Sequence, residues 1–108
     1  MLKHAVHPGE VLKDELDELG ITPTELARQI DVPANRMSQI IQGKRSITGD
    51  TALRLGHWFK TDPQFWMNLQ AQFELVAAQE AAGKSIQALP TRPDELGTSE
   101  LGTSTQPG

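Results

Sequence analysis

Residues 22–45 read TPTELARQIDVPANRMSQIIQGKR, and this stretch decides the fold. Thr22 caps a helix whose first position is Pro23, where a missing N–H costs nothing. Glu25, three residues after the cap, completes a capping box. Leu26 and Ile30 then face inward at i, i+4, with Ala27 small enough to let a second helix approach. Asp31-Val32-Pro33 breaks the periodicity, because a residue before proline is pushed out of the helical region. A second apolar stripe follows at Met37, Ile40 and Ile41, and Gly43 ends it as a C-cap ahead of Lys44-Arg45. Two short helices, a tight turn between them and two trailing bases predict a DNA-reading helix-turn-helix.

The second of these helices starts near Ala34. Opposite its core stripe stand Asn35, Arg36, Ser38, Gln39 and Gln42. Asn and Gln pair both edges of adenine in the major groove, and Arg bridges two acceptors on guanine. Arg36 lies one step around the helix, within reach of a base or a phosphate. Lys44 and Arg45, just past the helix, suit phosphates, as does the exposed N-terminal turn around Thr22 and Thr24.

A net charge of −4 sits awkwardly with nucleic acid until its distribution is read. Between Arg28 and Arg54 five bases (Arg28, Arg36, Lys44, Arg45, Arg54) face two acids (Asp31, Asp50), a local +3. Between Glu10 and Glu18 five acids face Lys13 alone, a local −4. A solvated face is the plain reading of those acids; a dock for a basic partner is the sharper one. The 108 residues suit one domain with a single helical core. The chain has no cysteine, which excludes disulfides and thiolate metal sites and fits a reducing cytoplasm. No apolar run is long enough to span a bilayer, and Met1-Leu2-Lys3-His4 does not begin a signal peptide.

Three more helices flank the central pair. The first runs from Pro8 to Leu19 and stops at Gly20, with Val11, Leu12, Leu16 and Leu19 as its inner stripe. Thr48 caps the fourth, which carries Ala52, Leu55, Gly56 and Phe59 at helical spacing. Gly56 in mid-helix costs about 1 kcal/mol against alanine, so a close neighbour is expected there. Arg54 faces outward on this helix as a further phosphate candidate. The fifth starts at Asp62-Pro63 and reaches towards Ala82-Gly83, with Phe65, Trp66, Leu69, Phe73, Val76 and Ala77 along one broad face. This apolar surplus marks an interface, and a symmetric dimer through Trp66, Leu69 and Phe73 follows.

The expectation is therefore an all-α protein of five helices. A helix-turn-helix domain with its dimerisation helix fills residues 1–82, and a flexible tail fills 83–108, where Glu95–Ser99 repeats as Glu100–Ser104. His4, His7 and His57 sit at no metal-ligand spacing, with His4 and His7 in a frayed start, so no metal or cofactor is expected. No nucleophile frame, phosphate loop or HExxH pair occurs, so an enzyme is not expected.

The apolar positions Leu26, Ala27, Ile30, Val32, Met37 and Ile40 resemble those of the lambda-repressor-like (Cro/C1, or XRE) regulators. The flanks narrow this: His7-Pro8-Gly9-Glu10, Arg45-Ser46-Ile47-Thr48, Ala52-Leu53-Arg54-Leu55 and Phe65-Trp66-Met67-Asn68-Leu69-Gln70 are similar to the HigA (VapI-like) antitoxins. The resemblance spans Val6 to Ala78. It implies base contacts at Ala34, Asn35, Ser38 and Gln39, a palindromic operator on double-stranded DNA, a homodimer, and neutralisation of a HigB-like mRNA-cleaving toxin by direct binding. A stand-alone repressor without a toxin, and an interaction module that no longer reads DNA, stay open beside it. The chain departs from the family at Asp31, where glycine is usual at the turn, and at Pro33, where Ser or Thr usually caps the reading helix.

Overall fold

A computed structural model describes residues 5–93, and among these it contains five helices and no strand. They are α1 (Pro8–Leu19), α2 (Pro23–Ile30), α3 (Ala34–Ile41), α4 (Gly49–Phe59) and α5 (Pro63–Gln87).

The helix starts follow local chemistry. Thr22, Thr48 and Asp62 each accept a backbone N–H from their own first turn, and Pro23 and Pro63 occupy the first helical positions. Pro33 begins α3 with no side-chain cap, as its chemistry requires. The expected box at Thr22 forms only by half. Thr22 Oγ1 accepts from Glu25 N at 3.1 Å, but the Glu25 carboxylate turns to Arg28 and Gln29 instead. Those two longer donors, one turn along the same face, also hold the Glu25 carboxyl below its usual range, Gln29 first and Arg28 after it.

The ends are equally local. Gly20 ends α1 and Asp31 ends α2, both in the left-handed region, Asp31 at φ 60°. Past α3, Gly43 at φ +77° sends its N–H to Ile40 O, and Lys44 N reaches Gln39 O at 2.8 Å, the paired bonds of a Schellman turn.

Leu12 and Leu16 of α1, Leu26, Ala27 and Ile30 of α2, Met37 and Ile40 of α3, Ala52 and Leu55 of α4 and Trp66 of α5 fill one core, with Val32 and Ile47 from the connections. Leu19 does not join the α1 stripe. It is exposed, because the chain turns away at Gly20 directly behind it. A Cβ at Gly56 would lie 2.9 Å from Thr61 O and 3.0 Å from Pro63, so the glycine lets the α4–α5 turn fold back onto α4. Trp58, half-buried, sends its indole N–H to Gln29 Oε1 at 2.7 Å and ties α4 to α2.

Two expectations for α5 need correction. Trp66 is 1% exposed and packs in the core against Phe59 and Phe65, so it is not available as a dimer surface. The helix also continues through Gly83 to Gln87, so the boundary at 82/83 is too early. One glycine costs only about 1 kcal/mol in a helix, and nothing in Lys84-Ser85-Ile86-Gln87 breaks the helical backbone. The approach of Pro90 is what stops it. The repeated Glu-Leu-Gly-Thr-Ser segment lies outside the described residues.

Candidate nucleic-acid interface

α2 and α3 meet at the turn Asp31–Pro33, and their apolar sides (Leu26, Ala27, Ile30, Met37, Ile40) face one another inside the core. That packing fixes what α3 shows to solvent. Ala34, Asn35 and Ser38 are exposed, and Gln39 is half-buried beside them, so four of the base-reading candidates share one outward row. Ser38 Oγ accepts from Gln42 Nε2 at 3.1 Å. Gln39 Oε1 accepts from Arg45 Nε at 2.9 Å, while its Nε2 enters no hydrogen bond among the described residues. An amide steadied at its oxygen, with both N–H donors unengaged among the described residues, is suited to a base edge.

Arg36 stands apart from this row. Its guanidinium lies 3.8 Å from the Asp50 carboxylate, at the start of α4. With Arg45, Ser46, Thr48 and Thr51 it lines a shallow hollow of about 310 Å³. Two arginines, three hydroxyl side chains and a helix N-terminus around one hollow suit a phosphate oxygen better than a base. Asp50, already shared between Arg36 and Arg54, is the one acid there. The sequence left Arg36 between base and phosphate, read Thr48 only as a helix cap and gave Ser46 no role. The run Arg45-Ser46-Ile47-Thr48, with buried Ile47 between polar neighbours, was the available signal.

Of the remaining phosphate candidates, Thr22 and Thr24 are exposed at the start of α2, and Lys44 and Arg45 are exposed after α3. Arg54 is committed elsewhere. Its Nε donates to Asp50 at 2.9 Å and its Nη1 to the carbonyls of Ile30 and Asp31, at 2.9 and 3.3 Å. The bond and charge of Asp50 raise its pKa further above the ordinary value. Arg54 is therefore a staple across the C-terminal end of α2, satisfying carbonyls the helix leaves open.

Two residues beneath the interface have roles that the sequence reading did not give them. Gln70 of α5 is buried, and its Oε1 accepts the N–H of Ile47 at 2.8 Å while its Nε2 donates to Glu74. His7, expected to fray, is buried as the N-cap of α1 in a complete capping box with Glu10. The sequence did hold a trace of it: Pro at the first helical position and Glu at the third, with an acceptor before them.

A short helix packed across a second one that presents an uncharged polar row, with hydroxyls and bases at its flanks, defines a helix-turn-helix of the repressor kind. The helix-turn-helix family matches residues 12–66. An addiction module antidote protein of the HigA family from Coxiella burnetii superposes with a TM-score of 0.82 at 41% identity, covering 84% of this chain and 100% of that one. The Pseudomonas aeruginosa antitoxin HigA, solved with the higBA promoter, gives 0.77 at 44% identity over 81% of this chain and 97% of that one. Virulence-associated protein I of Dichelobacter nodosus is 40% identical over 70% of this chain and 71% of its own. The chain belongs to the HigA (VapI-like) family of XRE-type helix-turn-helix proteins. That family consists of DNA-binding regulators, not enzymes.

Proposed function

We propose that this protein is the antitoxin of a HigBA-type module. As a homodimer in the cytoplasm it reads a palindromic operator, represses its own operon and neutralises a HigB-like mRNA-cleaving toxin by direct binding. The observation that carries the DNA reading is the outward row Ala34, Asn35, Ser38 and Gln39, flanked by Lys44, Arg45 and the Arg36 hollow. The Pseudomonas relative solved with its promoter supports it. Dimerisation would use the outer side of α5, where Leu75 and Ile86 are exposed, while half-buried Leu69 packs on the core and half-buried Phe73 on His7. A two-fold dimer sets its reading helices about 34–36 Å apart, one turn of DNA. The acidic face of α1 offers charge complementarity to a basic toxin.

The test is a gel-shift titration on the DNA upstream of the gene, with wild type and an Asn35→Ala/Gln39→Ala variant. Specific binding lost in the variant supports the reading helix. Absence of specific binding by a folded wild type sinks the repressor function. Co-purification with the product of an adjacent gene separates an antitoxin from a stand-alone repressor.

A further inference from the structure

The segment His7-Pro8-Gly9-Glu10 does more than start a helix. His7 Nδ1 accepts the Gly9 N–H at 2.9 Å, and the His7 N–H reaches Glu10 Oε2 at 3.2 Å. The ring sits edge-on to Phe73 of α5, with centroids 4.8 Å apart and planes at 73°. Its other neighbour is Gly43, where a Cβ would lie 3.7 Å from the imidazole, and the ring also meets the backbone carbonyl of Arg45. At Gly9 a Cβ would stand 1.9 Å from the Ile40 carbonyl oxygen, so the first turn of α1 rests directly on the last turn of α3. One imidazole thus touches the start of α1, the turn that leaves the reading helix, and α5.

We propose that His7 is a positioning residue for DNA binding, clamping the Gly43–Arg45 turn, and with it Lys44 and Arg45, to α1 and α5. The proposal rests on the DNA-reading function above. Its chemistry is specific. Because Nδ1 accepts the Gly9 N–H, the neutral ring carries its proton on Nε2. A leucine or phenylalanine could fill the same space but could not accept the Gly9 N–H. Protonation would place a second donor against the Gly9 N–H, abolishing the cap and loosening the turn.

The charged residues on the surrounding elements are Glu10 on α1, Lys44 and Arg45 in the turn, and Glu74 beside Phe73 on α5. Burial dominates and lowers the imidazole below its ordinary 6.5, against weaker upward pulls from the Arg45 carbonyl and the Glu10 carboxylate. The folded state therefore prefers the neutral ring. Above 6.5 the ring is neutral whether folded or not, and the clamp is intact. As pH falls from there through the lowered value, the unfolded chain gains the proton first, and the clamp weakens.

The first experiment uses the wild type and no DNA. The His7 ring and the amides of Gly43 to Ile47 are followed by NMR from about pH 7.5 to about pH 5. Amides that titrate with the ring support the clamp; amides that stay flat while the ring titrates overturn it. The second compares His7→Asn, which keeps a cap acceptor but neither titrates nor stacks. The variant is expected to bind upstream DNA about five- to tenfold more weakly near neutral pH. The gap should close as pH falls, because wild type then loses what the variant already lacks. Equal affinities with identical pH profiles overturn the proposal. Wild type that binds no upstream DNA would sink the DNA reading itself, and the amide titration then decides the clamp alone.

Discussion

Arg45 donates from Nε to Oε1 of Gln39 across 2.9 Å, and Lys44, its neighbour, donates its backbone N–H to the Gln39 carbonyl at 2.8 Å. The residue we propose to read adenine is thereby held, through side chain and backbone, by the two bases proposed to meet phosphate. On the proposed function, recognition and anchoring would share one hydrogen-bonded unit, so a change in either should be felt by the other.

Arg45→Lys separates them. Lysine keeps the charge but loses the Nε–H that steadies Gln39. Specific affinity should fall about fivefold, the worth of roughly 1 kcal/mol of hydrogen bonding. Affinity for scrambled DNA should barely change, because the phosphate charge remains. Competition gel shifts with both duplexes check this, and equal losses on the two would contradict the coupling.

Salt dependence sorts the arginines. With Arg36, Lys44 and Arg45 on phosphates in each of two subunits, the log–log salt slope of operator binding should be about −5. Lys44→Ala should flatten it by about 2 per dimer. Arg54→Ala should leave the slope alone and lower the melting temperature, since its guanidinium serves the Ile30 and Asp31 carbonyls. A slope change with Arg54→Ala would return that residue to the DNA face.

The sequence was most readable where structure is decided within one turn of chain. Thr22, Thr48, Asp62 and the prolines behind Thr22 and Asp62 start their helices as expected, and Asp31 adopts the left-handed turn that its family neighbours give to glycine. The outward polar row of α3 was legible for the same reason, because burying Met37 and Ile40 leaves Asn35, Ser38 and Gln39 outside. What escaped depends on contacts across the chain. Gln70 finds Ile47 twenty-three residues away, and His7 finds Phe73 and Gly43. Arg54 finds the end of α2. Trp66 looked like Phe65 and Leu69 in a string of apolar residues, and only the docking of α5 on α4 separates core from surface.

Gln70 gives a stability test of that long-range anchoring. Gln70→Leu fills the space but leaves the buried Ile47 N–H without its acceptor, a loss of about 1–3 kcal/mol. For a fold of this size the melting temperature should drop by roughly 4 °C or more per kcal/mol. Gln70→Glu keeps the acceptor but sets a carboxylate against Glu74, so its deficit should shrink as pH falls and one of the two becomes protonated. Thermal melts at two pH values follow both variants. A Gln70→Leu protein as stable as wild type would show that the loop does not depend on α5.

The dimer prediction turns on which α5 residues are free. Trp66→Ala should simply unfold the protein, since emptying a buried tryptophan site costs about 3–5 kcal/mol. It therefore reports nothing about association. Leu75 and Ile86 are 70% and 55% exposed, and a spacing of eleven residues puts them on the same side of the helix. Neither belongs to the five-helix core. Leu75→Asp with Ile86→Asp should leave the melting transition of the folded subunit intact and set two like charges from each subunit into a two-fold contact. Sedimentation should then show monomers at concentrations where wild type is dimeric, with operator binding weakened because each half-site is held alone. If the double variant stays dimeric, the contact lies elsewhere, and the half-buried Leu69 and Phe73 become the residues to change next.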